Sequence, residues 1–146
     1  MQTTFTTLNH GWNAEPNAPD EEVTVIGSDV RLRFFMNPFR YPEYAEGDVG
    51  ILVFSGCSQW RHGRTNDEGW YMGQCRFSGI APAWGDFFEL AGDLLLDSPK
   101  APKDWQIIGP PAGRTKHFLF YLRDATFECD AESWTLDLVR APATAP

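Results

Sequence analysis

Three cysteines and three histidines are the chain's soft metal ligands and its candidate nucleophiles and bases: Cys57, Cys75, Cys129, His10, His62 and His117. No pair of them has the close spacing of a zinc knuckle, and there is no His-Glu-x-x-His segment. A hairpin centred near Asn66 would set Cys57 across from Cys75, which supplies two ligands where a structural zinc needs four. Both therefore read as small buried hydrophobes, and no metal is expected. Gly56-Cys57-Ser58 falls inside a predicted strand, without the strand-to-helix elbow that presents a nucleophile. By alternation Cys129 faces the core, where a thiol is inert. His62 and His117 read as surface residues. No catalytic residue and no cofactor is assigned, and nucleotide-binding glycine loops are missing from the sequence. An enzyme would require an internal cleft holding His117 or His62 beside an arginine and a carboxylate.

Charged and aromatic residues give the remaining candidates. Glu128 and Asp130 share a strand face, but paired carboxylates do acid and base work only at a set separation across a cleft. The expectation for them is a wet face. Two basic islands interrupt an acidic chain: Arg61-His62-Gly63-Arg64, placed at a hairpin tip, and Arg114-Thr115-Lys116-His117. Solvation at a tip is the simpler reading, yet arginine suits anionic ligands, so Arg61 and Arg64 are candidate binding residues. The segment Asn37-Pro38-Phe39-Arg40-Tyr41-Pro42-Glu43-Tyr44 combines path-fixing prolines with the residue types enriched at interface anchors. Phe39, Arg40, Tyr41 and Tyr44 are candidates on that ground, with Trp84 beside them. The alternative is that these rings fold back to cap the sheet.

Composition limits the partners. The chain carries 12 Lys+Arg against 20 Asp+Glu, a formal charge of −8. That excess argues against duplex nucleic acid and against an anionic membrane surface, both of which need a basic footprint. Residues 1–48 hold eight acidic side chains against Arg31, Arg33 and Arg40, so the N-terminal third is the expected negative side. A content of 42% hydrophobic and 14% aromatic residues excludes a disordered chain. Residues 1–146 are expected to form one domain. No secretory signal is read at the N-terminus, no apolar run nears the ~20 residues of a membrane span, and an odd cysteine count favours reduced thiols. The expected location is the cytoplasm.

The elements that position these residues read mostly as strands. Residues 1–20 are loop-rich and 141–146 read as a disordered tail. Val23–Ile26 and Val30–Phe34 form a hairpin about Gly27-Ser28-Asp29. Val49–Trp60 and Trp70–Phe77 form a second pair, and Phe87–Leu96 reads as strand rather than short helix. Trp105–Ile108 is a short strand. His117–Arg123, apolar on both faces, belongs at the centre of a sheet, where Leu119 and Tyr121 need cover. Phe127–Asp130 and Trp134–Leu138 read as a final hairpin. The fold expected is all-β, an antiparallel β-sandwich or barrel of about eight short strands. The alternative is α+β with one short helix near 86–96. Core residues are Leu32, Phe34, Phe54, Phe118, Phe120, Leu122, Phe127, Trp134, Leu136 and Leu138, with Arg31, Arg33, Glu128 and Asp137 wet.

The function expected from these features is a non-catalytic protein-binding module, such as a toxin-neutralising immunity-like protein or an adaptor, steered by its acidity to a basic protein partner. The second expectation is a small-molecule-binding β-barrel in which Arg76 or Arg123 fixes a polar group of the ligand. The third is a hydrolase-like enzyme.

Overall fold

The computed structural model describes residues 2–64, 66–111 and 113–142. The tail residues 143–146 lie outside the described residues. In chain order the elements are β1 (Thr4–Thr7), β2 (Glu22–Ile26), β3 (Asp29–Phe35), β4 (Val49–Ser55), β5 (Gln59–Gly63), α1 (Asp67–Tyr71), β6 (Phe87–Ala91), β7 (Gln106–Ile107), β8 (Lys116–Tyr121), β9 (Thr126–Ala131) and β10 (Ser133–Val139). They form an all-β sandwich of two open antiparallel sheets. One runs β1-β6-β8-β9-β5-β7 and the other β10-β4-β3-β2, so neither closes into a barrel. Residues 86–96 carry β6, not a helix. No helix among the described residues is long and apolar enough to cross a membrane.

The inner faces meet in an aromatic core. Strand alternation sends Phe118 and Phe120 of β8 and Phe127 and Cys129 of β9 inward, to meet Leu32 and Phe34 of β3 and Leu52 and Phe54 of β4. Phe54 lies 5.3 Å from Phe127 and 5.4 Å from Phe118, ring centre to ring centre. Each such ring, fully buried, contributes about 1.5–3 kcal/mol. Strand β8 is central as expected, between β6 and β9, and Leu119 and Tyr121 are covered on its other face.

Several expectations are corrected. The run 49–60 is two strands in different sheets, broken where Gly56 turns the corner at φ +63°. Residues 70–77 are not its partner strand: Asn66 caps α1 by accepting from the Gly69 N–H, and turns follow. The Asn-Asp-Glu-Gly chemistry that reads as a hairpin turn serves equally as a helix cap. Cys57 consequently meets Cys129 in the core, while Cys75 sits half-buried on the other side of the sheet, all three thiols free. Strands β9 and β10 are adjacent in sequence but belong to opposite sheets, with β10 paired to β4. Alternation assigns Trp134, Leu136 and Leu138 to the correct face and is silent on the partner. Because β10 is an edge strand, Trp134 and Leu136 are only partly buried and Leu138 is 37% exposed. Finally, β1 forms within the loop-rich first 20 residues, pairing with β6.

Candidate functional site

Strand parity fixes which side chains leave the outer face of the six-stranded sheet. The register sets Leu119, Glu128 and Arg61 in one row across β8, β9 and β5, and His117, Asp130 and Gln59 in the next. In a one-layer sheet these would be wet. Here residues between β5 and β7 fold over the face, and Trp70, Phe77 and Ala81 pack on Phe88, Leu90, Leu119 and Tyr121 as a second apolar cluster. Glu128 is therefore 2% exposed, which overturns its expected wet position. Arg61 and His117 are buried as well, so neither is the solvated side chain expected at a tip or surface.

A buried carboxylate must be paired and hydrogen-bonded. Glu128 is paired three times. Its Oε1 accepts from Arg61 Nη1 at 3.0 Å, and its Oε2 accepts from His117 Nε2 at 2.7 Å and from Arg76 Nη2. The outer partners are carboxylates: Arg61 Nε donates to Asp104 at 2.8 Å and His117 Nδ1 to Asp130 at 2.8 Å. Gln59 completes the row by donating to the second oxygen of Asp130 at 2.7 Å. Gly63 leaves the space for this arrangement, since a Cβ there would lie 2.0 Å from Arg61 Nη2.

Electrostatics follow from the pairing. Burial alone would lower the His117 pKa, but its bonds to Asp130 and Glu128 outweigh this and raise it to about 9. Burial alone would raise that of Glu128, but the His117 bond and the charges of His117, Arg76 and Arg61 bring it down to about 2. At neutral pH the cluster is Arg61, Arg76 and His117, all positive, against Glu128, Asp130 and Asp104. Tyr121 is raised, first by burial and then by the Glu128 charge, so its phenol stays protonated.

Beside the cluster opens a cleft of about 430 Å³. Arg76, Lys100 and Gln74 bring polar groups to it, and Phe77, Leu119 and Tyr121 give it an apolar wall. Arg76 lies with Cζ 4.3 Å over the Phe77 ring. It is 9% exposed, and its Nε and Nη1 have no hydrogen-bond partner among the described residues.

The seven candidate binding residues do not converge. Arg61 lines this cleft. Arg40 and Trp84 border a second one, of about 310 Å³, where Trp84 stacks on Tyr121 at 4.5 Å. Phe39 stands 74% exposed on a third groove, formed with Phe35 and Pro38. Tyr41 is half-buried under the Arg40 guanidinium, and Tyr44 packs against the core beneath Arg140, so the aromatic segment is part cap and part surface. Arg64 is exposed. Sequence reasoning did not single out Asp104 and Lys100, and it weighed His117, Glu128 and Asp130 as candidates but read them as surface groups. The available signal was Glu128 and Asp130 on the same face of β9 as a row of apolar side chains on β8, which implies that this face is covered. No group of three or more His, Cys, Asp or Glu side chains with metal-binding geometry occurs among the described residues. No known protein family, curated protein or solved structure matches this chain.

Proposed function

We propose that the protein is a small-molecule-binding β-sandwich whose ligand sits in the cleft over the outer face of the six-stranded sheet. The observation that carries this reading is the cleft's construction: about 430 Å³, with an apolar wall of Phe77, Leu119 and Tyr121 facing convergent polar groups from Arg76, Gln74 and Lys100. That is the volume and the mixture of surfaces small ligands use. The ion cluster beneath supports binding over proton transfer. Glu128, the one carboxylate lining the cleft among the described residues, is ionised and has both oxygens occupied, and His117 is held protonated between two carboxylates. Neither is a free base near neutral pH. Free thiols on all three cysteines support a cytoplasmic location.

The test is a thermal-shift screen of small polar metabolites. A ligand at 100 times its Kd adds about 2.7 kcal/mol, and each kcal/mol raises Tm by roughly 2–4 °C. Gln74→Trp, at the exposed mouth of the cleft, should abolish the shift without lowering the unliganded Tm. A screen without hits, or hits indifferent to Gln74→Trp, would reject the reading.

A second reading is contact with a basic protein partner through residues 37–44, favoured by Phe39 at 74% exposure beside Arg40. The chain's charge of −8 would steer such a partner. Phe39→Asp should then weaken association measured by sedimentation, and an unchanged association would dismiss it.

A further inference from the structure

We infer that the ligand of the cleft bears an anionic head group, a carboxylate or a phosphoryl group, seated on Arg76. The inference rests on the reading of the cleft as a ligand site. Among the described residues three cations share the Glu128 carboxylate, and two of them have a second anion: Arg61 has Asp104 and His117 has Asp130. Among the described residues Arg76 has Glu128 alone, through Nη2, and its Nε and Nη1 remain buried with no acceptor. Buried guanidinium donors left unpaired are costly, and the arrangement is satisfied when an acceptor enters the cleft beside them. Its carboxylate neighbour does not exclude an anion, because both oxygens of Glu128 are already engaged by three cations.

The surroundings agree on the sign of the charge. Among the described residues the three cations and three carboxylates of the cluster balance, and Lys100 on the cleft adds a fourth cation, so the site is net positive in a chain of net charge −8. Lys100 is exposed and donates Nζ to the Gly73 carbonyl at 2.7 Å. It can follow a ligand, since a lysine side chain is long and flexible. The Phe77, Leu119 and Tyr121 wall then takes the rest of the molecule, so the ligand class is an anion on an apolar or aromatic body.

The probes are phenyl phosphate, benzoate and the neutral benzyl alcohol, titrated into the full 15N-labelled chain. The readouts are the Arg76 Nε–H resonance, assigned by its loss in Arg76→Gln, and the Tm. At least one anionic probe should move that resonance and bind at least tenfold more tightly than benzyl alcohol. Its affinity should fall at least tenfold in Arg76→Gln and severalfold in Lys100→Glu. The exposed Lys100 variant keeps the test valid if Arg76→Gln unfolds. Phenyl phosphate binding tighter than benzoate identifies a phosphoryl head group, and the reverse a carboxylate. Equal binding of neutral and anionic probes, or anion binding untouched by Lys100→Glu and Arg76→Gln, overturns the inference. If neutral compounds bind the cleft and anions do not, the head-group assignment alone fails. If nothing binds in either this titration or the metabolite screen, the cleft reading fails with it.

Discussion

His117 Nε2 donates to Glu128 Oε2 at 2.7 Å, and both side chains are buried, at 4% and 2% exposure. They meet diagonally across the β8–β9 ladder, since Leu119 is the residue directly opposite Glu128. The pair ties the covering segment to the sheet, because the same carboxylate also holds Arg76. Removing the negative charge leaves buried Arg76 without its carboxylate and takes one of two anions from each of Arg61 and His117. Breaking a buried ion pair from one side costs about 3–5 kcal/mol, a large share of the roughly 5–15 kcal/mol that stabilises a domain. Glu128→Gln is therefore expected to lower unfolding stability by about that amount in urea titrations, with loss of less than about 1 kcal/mol arguing that water reaches the cluster.

The same pair sets a pH profile. His117 is raised from 6.5 to about 9, so its contribution to stability is complete below pH 6.5 and is lost as pH rises through 9. Glu128 is lowered from 4.5 to about 2, so its contribution is complete above pH 4.5 and is lost as pH falls through 2. Both are fully present only between these limits, and the cluster's contribution should peak at pH 4.5–6.5. Stability measured from pH 6.5 to 9 should decline in the native protein and decline less in His117→Gln. Parallel slopes in the two proteins would show that His117 is not the titrating group.

Thiol chemistry reports on the cleft. Cys75 lines it and is half-buried, whereas Cys57 and Cys129 lie in the core. Burial raises the Cys75 pKa, so its alkylation by iodoacetamide should be slow and quicken with pH. Mass spectrometry of briefly treated native protein should place the first label on Cys75, and a cleft ligand should slow it. A first label on Cys57, whose pKa is lowered by its bond to Cys129, would mean that the core opens more readily than the cleft.

The core and the edge of the sandwich should respond differently to truncation. Phe54 is fully buried between Phe118, Phe127 and Phe87, and Phe54→Ala should cost about 3–5 kcal/mol. Leu138, 37% exposed on edge strand β10, should cost well under about 1.5 kcal/mol as Leu138→Ala. Equal costs at the two sites would contradict the assignment of β10 to a sheet edge.

What the sequence made legible was periodicity. The two-residue repeat placed Leu32, Phe34, Phe118, Phe120 and Phe127 inside, and the apolar run at β8 placed that strand centrally with Leu119 and Tyr121 covered. Periodicity says which face a residue takes and nothing about what lies over that face. Glu128 was correctly placed opposite to Phe127 and Cys129, and its burial depended on Trp70, Phe77 and the cations of Arg61, Arg76 and His117, brought from four other parts of the chain. The pairing of β10 with β4 was hidden for the same reason, since its alternation is satisfied by any partner. Arg76 was readable as a residue able to fix a ligand group, but not its cleft, because the turns that form it follow a helix cap that reads as a hairpin.

The central claim is that a small molecule occupies the cleft over the six-stranded sheet. The most direct measurement is a crystal structure of the protein with the most stabilising compound from the thermal-shift screen. The account predicts that compound in contact with Arg76, between Lys100 and the Leu119–Tyr121 wall. The same compound bound in the Phe39 groove, or beside Trp84 and Arg40, with the Arg76 cleft filled by water alone, would contradict it.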